Sequence, residues 1–168
     1  MGGLGANGII FKLDFPPRTL TGSSGNGFHS LAMSSTQKGT FTAYFNATPS
    51  ASPENAVVGL SKGAATAYTA LSSIARFNPS GYIDAYNSTA YAAVSKIPYS
   101  AGVSYHFRLV VNVAANTYSV YVTAPGGSEQ PVGLNYGFRT KQTSLDTWTL
   151  EVDANPANCS LTAYALTP

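Results

Sequence analysis

The chain has 168 residues, 44% of them hydrophobic and only 10% charged, with a formal net charge of +2. Soluble domains usually carry roughly 25% charged residues, so hydroxyls, amides and 11 tyrosines stand here where ions normally do. Scattered single charges exclude the basic stripe of a nucleic-acid binder, no apolar run reaches the roughly 18 residues of a membrane helix, and the apolar content excludes a disordered chain.

In chain order, Met1 to Gly5 has neither a basic nor an apolar leader region, and the expectation is a single domain, 1–168, excised from a larger secreted protein. Period-2 alternation, interrupted by Gly, Pro, Asn and Ser every 8–12 residues or so, then predicts about a dozen short strands. They fall at 9–15, 28–33, 40–46, 56–61, 74–78, 82–86, 90–94, 105–113, 117–124, 131–134, 146–152 and 159–166. The stretch 64–73 fits a turn or two of helix and an edge strand equally well. The strands over 105–113 and 117–124 read as a hairpin closed by Ala114, Ala115 and Asn116. Its apolar face carries Tyr105, Phe107, Leu109, Val111 and Val113 with Tyr118, Val120 and Val122; the polar face carries His106, Arg108, Asn112 and Tyr121. This pattern is that of an all-β sandwich or barrel. Cys159, the single cysteine, excludes an internal disulfide and reads as a small buried hydrophobe.

Catalytic signatures are sparse. Phosphate-cradling glycine loops and a nucleophile elbow do not occur, and His29 and His106 are not in zinc-ligand spacing. Glu151 and Asp153 share one face of a late strand, the spacing of a glycosidase acid pair. Trp148, Leu150 and Val152 occupy the other face, so the two acids are expected on the solvated side and Trp148 in the core. Asp14, Glu54, Asp84, Glu129 and Asp146 stand isolated along the sequence.

Several stretches together resemble a known family: 56–61, Gly63 to Tyr68, Ile74 to Gly81, Ile83 to Ala85, Ala90 to Ala93, Ile97 to Val111, Tyr118 to Val122 and Tyr136 to Thr140. The run, about 28–166, is similar to the concanavalin A-like, laminin-G-type jelly-roll domains of secreted bacterial polysaccharide-degrading proteins. That resemblance implies an all-β, two-sheet antiparallel β-sandwich, a carbohydrate-binding role and often a bound calcium ion. Calcium needs six to eight oxygen ligands; Asp14, Asp153 and Asn155 are the candidates where the terminal strands meet.

A sugar presents apolar C–H faces beside hydroxyls, so its site needs flat rings next to planar hydrogen-bonding groups. The segment 76–91 sets Arg76, Asn78, Asp84 and Asn87 among Tyr82, Tyr86 and Tyr91. Tyr82, Asp84 and Tyr86 share one strand face, with Ile83 and Ala85 on the other. Either these rings are platforms or they are core and rim packing. His106, Arg108 and Tyr121 join the candidate set if their sheet face lines a groove; otherwise Arg108 pairs with Asp84 or Glu129. Arg139 and Gln142 either bond a ligand or cap backbone.

The expected function is a non-catalytic carbohydrate-binding module that targets an appended catalytic domain to a polysaccharide or oligosaccharide, outside the cell. The alternatives are a glycoside hydrolase or polysaccharide lyase on the same scaffold, and a structural or adhesive surface domain. Neither nucleic acid nor membrane is an expected partner.

Overall fold

The structure, a computed structural model, describes residues 18–168; the strand predicted at 9–15 and Asp14 lie outside the described residues. Its strands are β1 Thr19–Ser23, β2 His29–Gln37, β3 Thr40–Pro49, β4 Ala56–Ser61, β5 Leu71–Phe77, β6 Tyr82–Asn87, β7 Ala90–Pro98, β8 Tyr105–Asn112, β9 Thr117–Thr123, β10 Gln130–Gly137, β11 Leu145–Val152 and β12 Ser160–Thr167. They form two six-stranded sheets, ordered β1-β12-β3-β8-β9-β10 and β2-β11-β4-β5-β6-β7, and the neighbours pair antiparallel. The all-β sandwich expected from alternation is the observed architecture.

The hairpin shows why. In β8, Tyr105, Phe107, Leu109 and Val111 are buried and alternate with more exposed neighbours; in β9, Tyr118, Val120 and Val122 do the same. Asn116 closes the turn at a φ of 55°, a left-handed conformation that asparagine tolerates better than most side chains. Between the sheets, Phe45 of β3 stacks on Phe107 of β8 with centroids 4.6 Å apart. The opposing sheet meets this pair edge-on, through Trp148 of β11 at 5.5 Å from Phe45 and Phe77 of β5 at 5.7 Å from Phe107. Burial of rings of this size, at about 25 cal/mol per Å² of apolar surface, is the main force closing the sandwich. Cys159 is buried and unbridged, as its alternation predicts.

β1 has no counterpart in the predicted strands. Its sequence, TLTGS, holds one large apolar residue and gains its order from pairing with β12 along the sheet edge. The ambiguous stretch 64–73 resolves into a single 3₁₀ turn, Tyr68–Ala70, leading straight into β5. This β4–β5 connection lies over the outer face of its own sheet. There Ala65, Leu71, Val57 and Ile74 form a second small cluster, with Phe28, Tyr68, Tyr86 and Tyr91 packed against it. A three-layered region results on one side of the molecule.

One buried hydroxyl ties the sheets together. The β5–β6 ladder pairs Ala75 with Ala85 and Phe77 with Ile83 but stops short of Ile74 and Tyr86. Tyr118 reaches there from β9 of the other sheet. Its hydroxyl lies 2.6 Å from the Tyr86 carbonyl and 3.0 Å from the Ile74 carbonyl, and it accepts the Ile74 N–H at 3.2 Å. Backbone groups in a dry interior need such a partner, and here it also fixes the backbone of Tyr86.

Candidate carbohydrate-binding face

On β6, Ile83 and Ala85 point into the core and are fully buried, while Tyr82, Asp84 and Tyr86 point outward. Arg76 faces Asp84 across the β5–β6 ladder. Its guanidinium donates twice to that carboxylate, at 2.8 and 2.7 Å, and Asn78 Nδ2 adds a third bond at 2.9 Å. A fork-to-fork pair of this kind fixes both partners. Asp84, isolated in sequence, is therefore neutralised in space.

Tyr91 sits opposite Tyr86 in the β6–β7 hairpin, and their rings meet edge to face at 5.0 Å. The Arg76 guanidinium carbon lies 3.4 Å from the Tyr91 ring centre. Arg139 places its own 4.4 Å from Tyr86 and 5.7 Å from Tyr68, and Lys96 Nζ stands 4.3 Å from Tyr82. Rings and cations thus alternate across the face. Burial raises the Tyr91 hydroxyl pKa, and the neighbouring Arg76 and Arg139 oppose that rise. Tyr82, Tyr86 and Tyr91 are half-buried, with neither ring set enclosed between the sheets.

A bulge opens the surface beside Asp84. Ile83 pairs with Ile97 and Ala85 with Ala92, so residues 93–96 of β7 stand opposite Asp84 alone. The excess chain bows away and leaves a depression of about 310 Å³ lined by Asn78, Tyr82, Asp84, Tyr91, Ser95 and Lys96 among others. Extra residues in one strand bend it and re-aim its side chains. Pockets of small ligands begin near this size.

The remaining sequence candidates lie elsewhere. Asn87, at the hairpin tip, gives its side-chain oxygen to the Gly137 N–H at 3.1 Å and so anchors the hairpin to β10. His106, Arg108 and Tyr121 project from β8 and β9, the outer face of the other sheet, with Arg108 opposite Tyr121 in register. The core separates them from Tyr82, Tyr86 and Tyr91, so the nine candidates form two sets that no single sugar can span. Arg108 is bidentate to Glu129, at 2.8 and 2.6 Å, and covers the Tyr121 ring at 4.0 Å; Asp84 is not its partner. Glu129 holds Arg108 protonated above its ordinary pKa, and Arg108 in turn lowers that of Glu129. His106 shares a 2.9 Å hydrogen bond with Asn46 Oδ1 and stacks on Tyr44.

One expectation needs correction. Glu151 lies opposite Trp148, Leu150 and Val152 as alternation requires, yet it is buried rather than solvated. The β4–β5 connection covers it, and the Tyr68 hydroxyl donates to its carboxylate. Burial raises the Glu151 pKa, and burial together with this acidic neighbour raises that of Tyr68. For calcium, Asp153 already accepts from Asn55 Nδ2 at 3.2 Å and from the Asn155 N–H at 3.0 Å. Among the described residues no group of three acidic, histidine or cysteine side chains gathers for a metal.

Gln142 caps backbone, accepting from the Lys62 N–H at 2.6 Å and donating to the Ala70 carbonyl at 2.7 Å. Tyr68 and Lys96 join the face without having been sequence candidates. Tyr68 lies in the stretch whose periodicity was ambiguous, and Lys96 is turned to the site by a bulge that no alternation signals.

No protein-family model matches this sequence. A gellan lyase from Bacillus sp. is 35% identical over 106 residues, 61% of this chain and 4% of that protein, so the chain spans a small fraction of that relative's length. Among solved structures, a sialidase superposes with a TM-score of 0.62 at 14% identity, covering 89% of this chain and 15% of that one. Lectin I-B4 from Griffonia simplicifolia follows at 0.58 and 10% identity, covering 82% and 78% of the two chains. Lectin II from Ulex europaeus gives 0.57 at 9%, covering 89% and 86%. The shared architecture is the concanavalin A-like jelly roll of these lectins.

Proposed function

We propose that this chain is a non-catalytic carbohydrate-binding domain of a secreted protein, and that it holds a polysaccharide against the outer face of the β2-to-β7 sheet. The observation that carries the reading is the half-buried ring set Tyr82, Tyr86 and Tyr91, two of whose rings, Tyr82 and Tyr91, line a depression together with Asp84, which Arg76 locks in place. Sugar C–H faces lie on the rings, and the rigid floor orients the hydroxyls. The architecture shared with lectins and the local similarity to a gellan lyase support a glycan ligand and an appended catalytic domain.

The non-catalytic part rests on the acids and tyrosines of this face. A lyase needs a tyrosine whose proton leaves readily, whereas the Tyr68 hydroxyl is pushed well above its ordinary range. Asp84 is held by Arg76, and Glu151 is covered.

Affinity electrophoresis through gels containing gellan, xylan, galactan or β-glucan tests the reading. At least one gel retards the protein, and Tyr91→Ala weakens that retardation five- to tenfold, since a stacked ring contributes on the order of 1 kcal/mol. Unchanged mobility in every gel overturns the binding reading. Unsaturated or reducing ends released by the wild type, and lost in Glu151→Gln, overturn the non-catalytic one.

A further inference from the structure

Arg76, Arg108 and Arg139 differ in what holds their guanidiniums. Arg76 is bidentate to Asp84, and Arg108 to Glu129. Arg139 has no carboxylate partner among the described residues. Its backbone N–H bonds the Ser72 carbonyl at 2.8 Å, which fixes the loop, while its side chain rests over the Tyr86 ring and reaches Tyr68. The acids of this face are otherwise engaged, Asp84 by Arg76 and Asn78, and Glu151 by Tyr68. Lys96, over Tyr82 at the depression, is a second cation without a carboxylate partner among the described residues. Among the described residues, the ring-lined face therefore presents two cations, Arg139 and Lys96, that no carboxylate holds in a pair.

A planar guanidinium on a ring platform is preorganised for a planar anion. The ring holds one face of the group, and the edge N–H donors remain available for a bidentate contact. We infer that this face selects glycans bearing carboxylates, a uronate ring lying against Tyr86 and Tyr91 with its carboxylate on the Arg139 guanidinium. The inference rests on the binding reading above and narrows its ligand class. Lys96 adds longer-range attraction for a polyanionic chain, which salt weakens.

The test is calorimetric titration of oligosaccharides from polygalacturonate, alginate and hyaluronate at low salt, each beside its carboxyl-reduced counterpart. At least one acidic oligosaccharide binds tenfold or more tightly than its reduced form. Arg139→Gln removes that difference, and Arg139→Lys retains part of it, as expected for loss of a charge-assisted pair. Thermal melts confirm that the variants are folded, and the wild-type acid-against-reduced comparison stands without them. Equal affinity for the two members of every pair overturns the inference and leaves the binding reading intact. An acidic preference that survives Arg139→Gln overturns the assignment to Arg139. Absence of binding to all six, together with unretarded mobility in the gels, overturns both.

Discussion

Glu54 lies in the β3–β4 connection with no accessible surface, and replacing it by glutamine gives a direct measure of a buried charge. One carboxylate oxygen accepts the Ala51 N–H at 3.2 Å, and the other has no hydrogen-bond partner among the described residues. The Tyr99 hydroxyl, nearby, serves the Glu54 backbone instead, accepting its N–H at 2.7 Å. Burial outweighs the backbone hydrogen bonds and raises the Glu54 pKa from 4.5 to about 7. Between these two values the unfolded chain has lost its proton and the folded chain keeps it. Stability therefore falls as pH rises through this window, and the loss is complete above about pH 7. A rise of that size, at about 1.4 kcal/mol per pH unit, corresponds to about 3 kcal/mol. Glutamine imitates the protonated acid at every pH. Urea unfolding at pH 5, 6, 7 and 8 should show the two proteins within about 1 kcal/mol at pH 5. At pH 8 the Glu54→Gln variant should be about 3 kcal/mol more stable. Parallel pH profiles for the two proteins would refute the reasoning, because the Glu54 proton could then not differ between folded and unfolded chains.

Four further substitutions probe the scaffold. Tyr118→Phe strips the partner from backbone groups at Ile74 and Tyr86, and should lower unfolding free energy by about 2–3 kcal/mol in urea titrations at an unchanged slope. Arg76→Met leaves Asp84, whose side chain is 10% exposed, without its counter-ion and should cost about 2–3 kcal/mol, whereas Arg108→Met breaks an exposed pair and should cost under about 1. Comparable losses from both arginine variants in thermal melts would contradict the difference in burial. Gly59→Ala drives a methyl to 2.7 Å from the Ser73 carbonyl oxygen, and should destabilise by about 1–3 kcal/mol, read as a lower melting temperature.

Alternation along a strand states which residues share a face, and in β6, β8, β9 and β11 that information held. Tyr105, Phe107, Leu109 and Val111 are inward, as are Ile83, Ala85 and Trp148. Alternation is silent on which sheet a strand joins and on what lies above its outer face. Hence Arg108 and Tyr86 both stand in one candidate set, although the crossovers place them on opposite sides of the sandwich. Hence too Glu151 read as solvated, because the cover over it comes from Tyr68, 83 residues away in the chain. Salt-bridge partners carry the same non-local character. Arg76 and Asp84 were both legible as polar groups of one segment, yet only the register of β5 against β6 makes them a pair. The preference for Glu129 over Asp84 at Arg108 is likewise fixed by the packing of a loop.

The site-forming features are places where regular pairing fails. Had β7 paired residue for residue with β6, Asp84 would face one neighbour and no depression would lie beside it; the extra chain at 93–96 makes that space. Had the β5–β6 ladder continued to Ile74 and Tyr86, no hydroxyl from the second sheet would be needed there. Its interruption admits Tyr118, which anchors the Tyr86 backbone through a bond made in the dry core. Irregularity in a sheet is tolerated only where other groups satisfy the exposed backbone. The ring platform at Tyr86 consequently inherits its rigidity from the opposite sheet, so Tyr118→Phe should weaken glycan retardation in the gels although Tyr118 itself touches no ligand. Retardation unchanged in a folded Tyr118→Phe protein would separate the platform from the core beneath it.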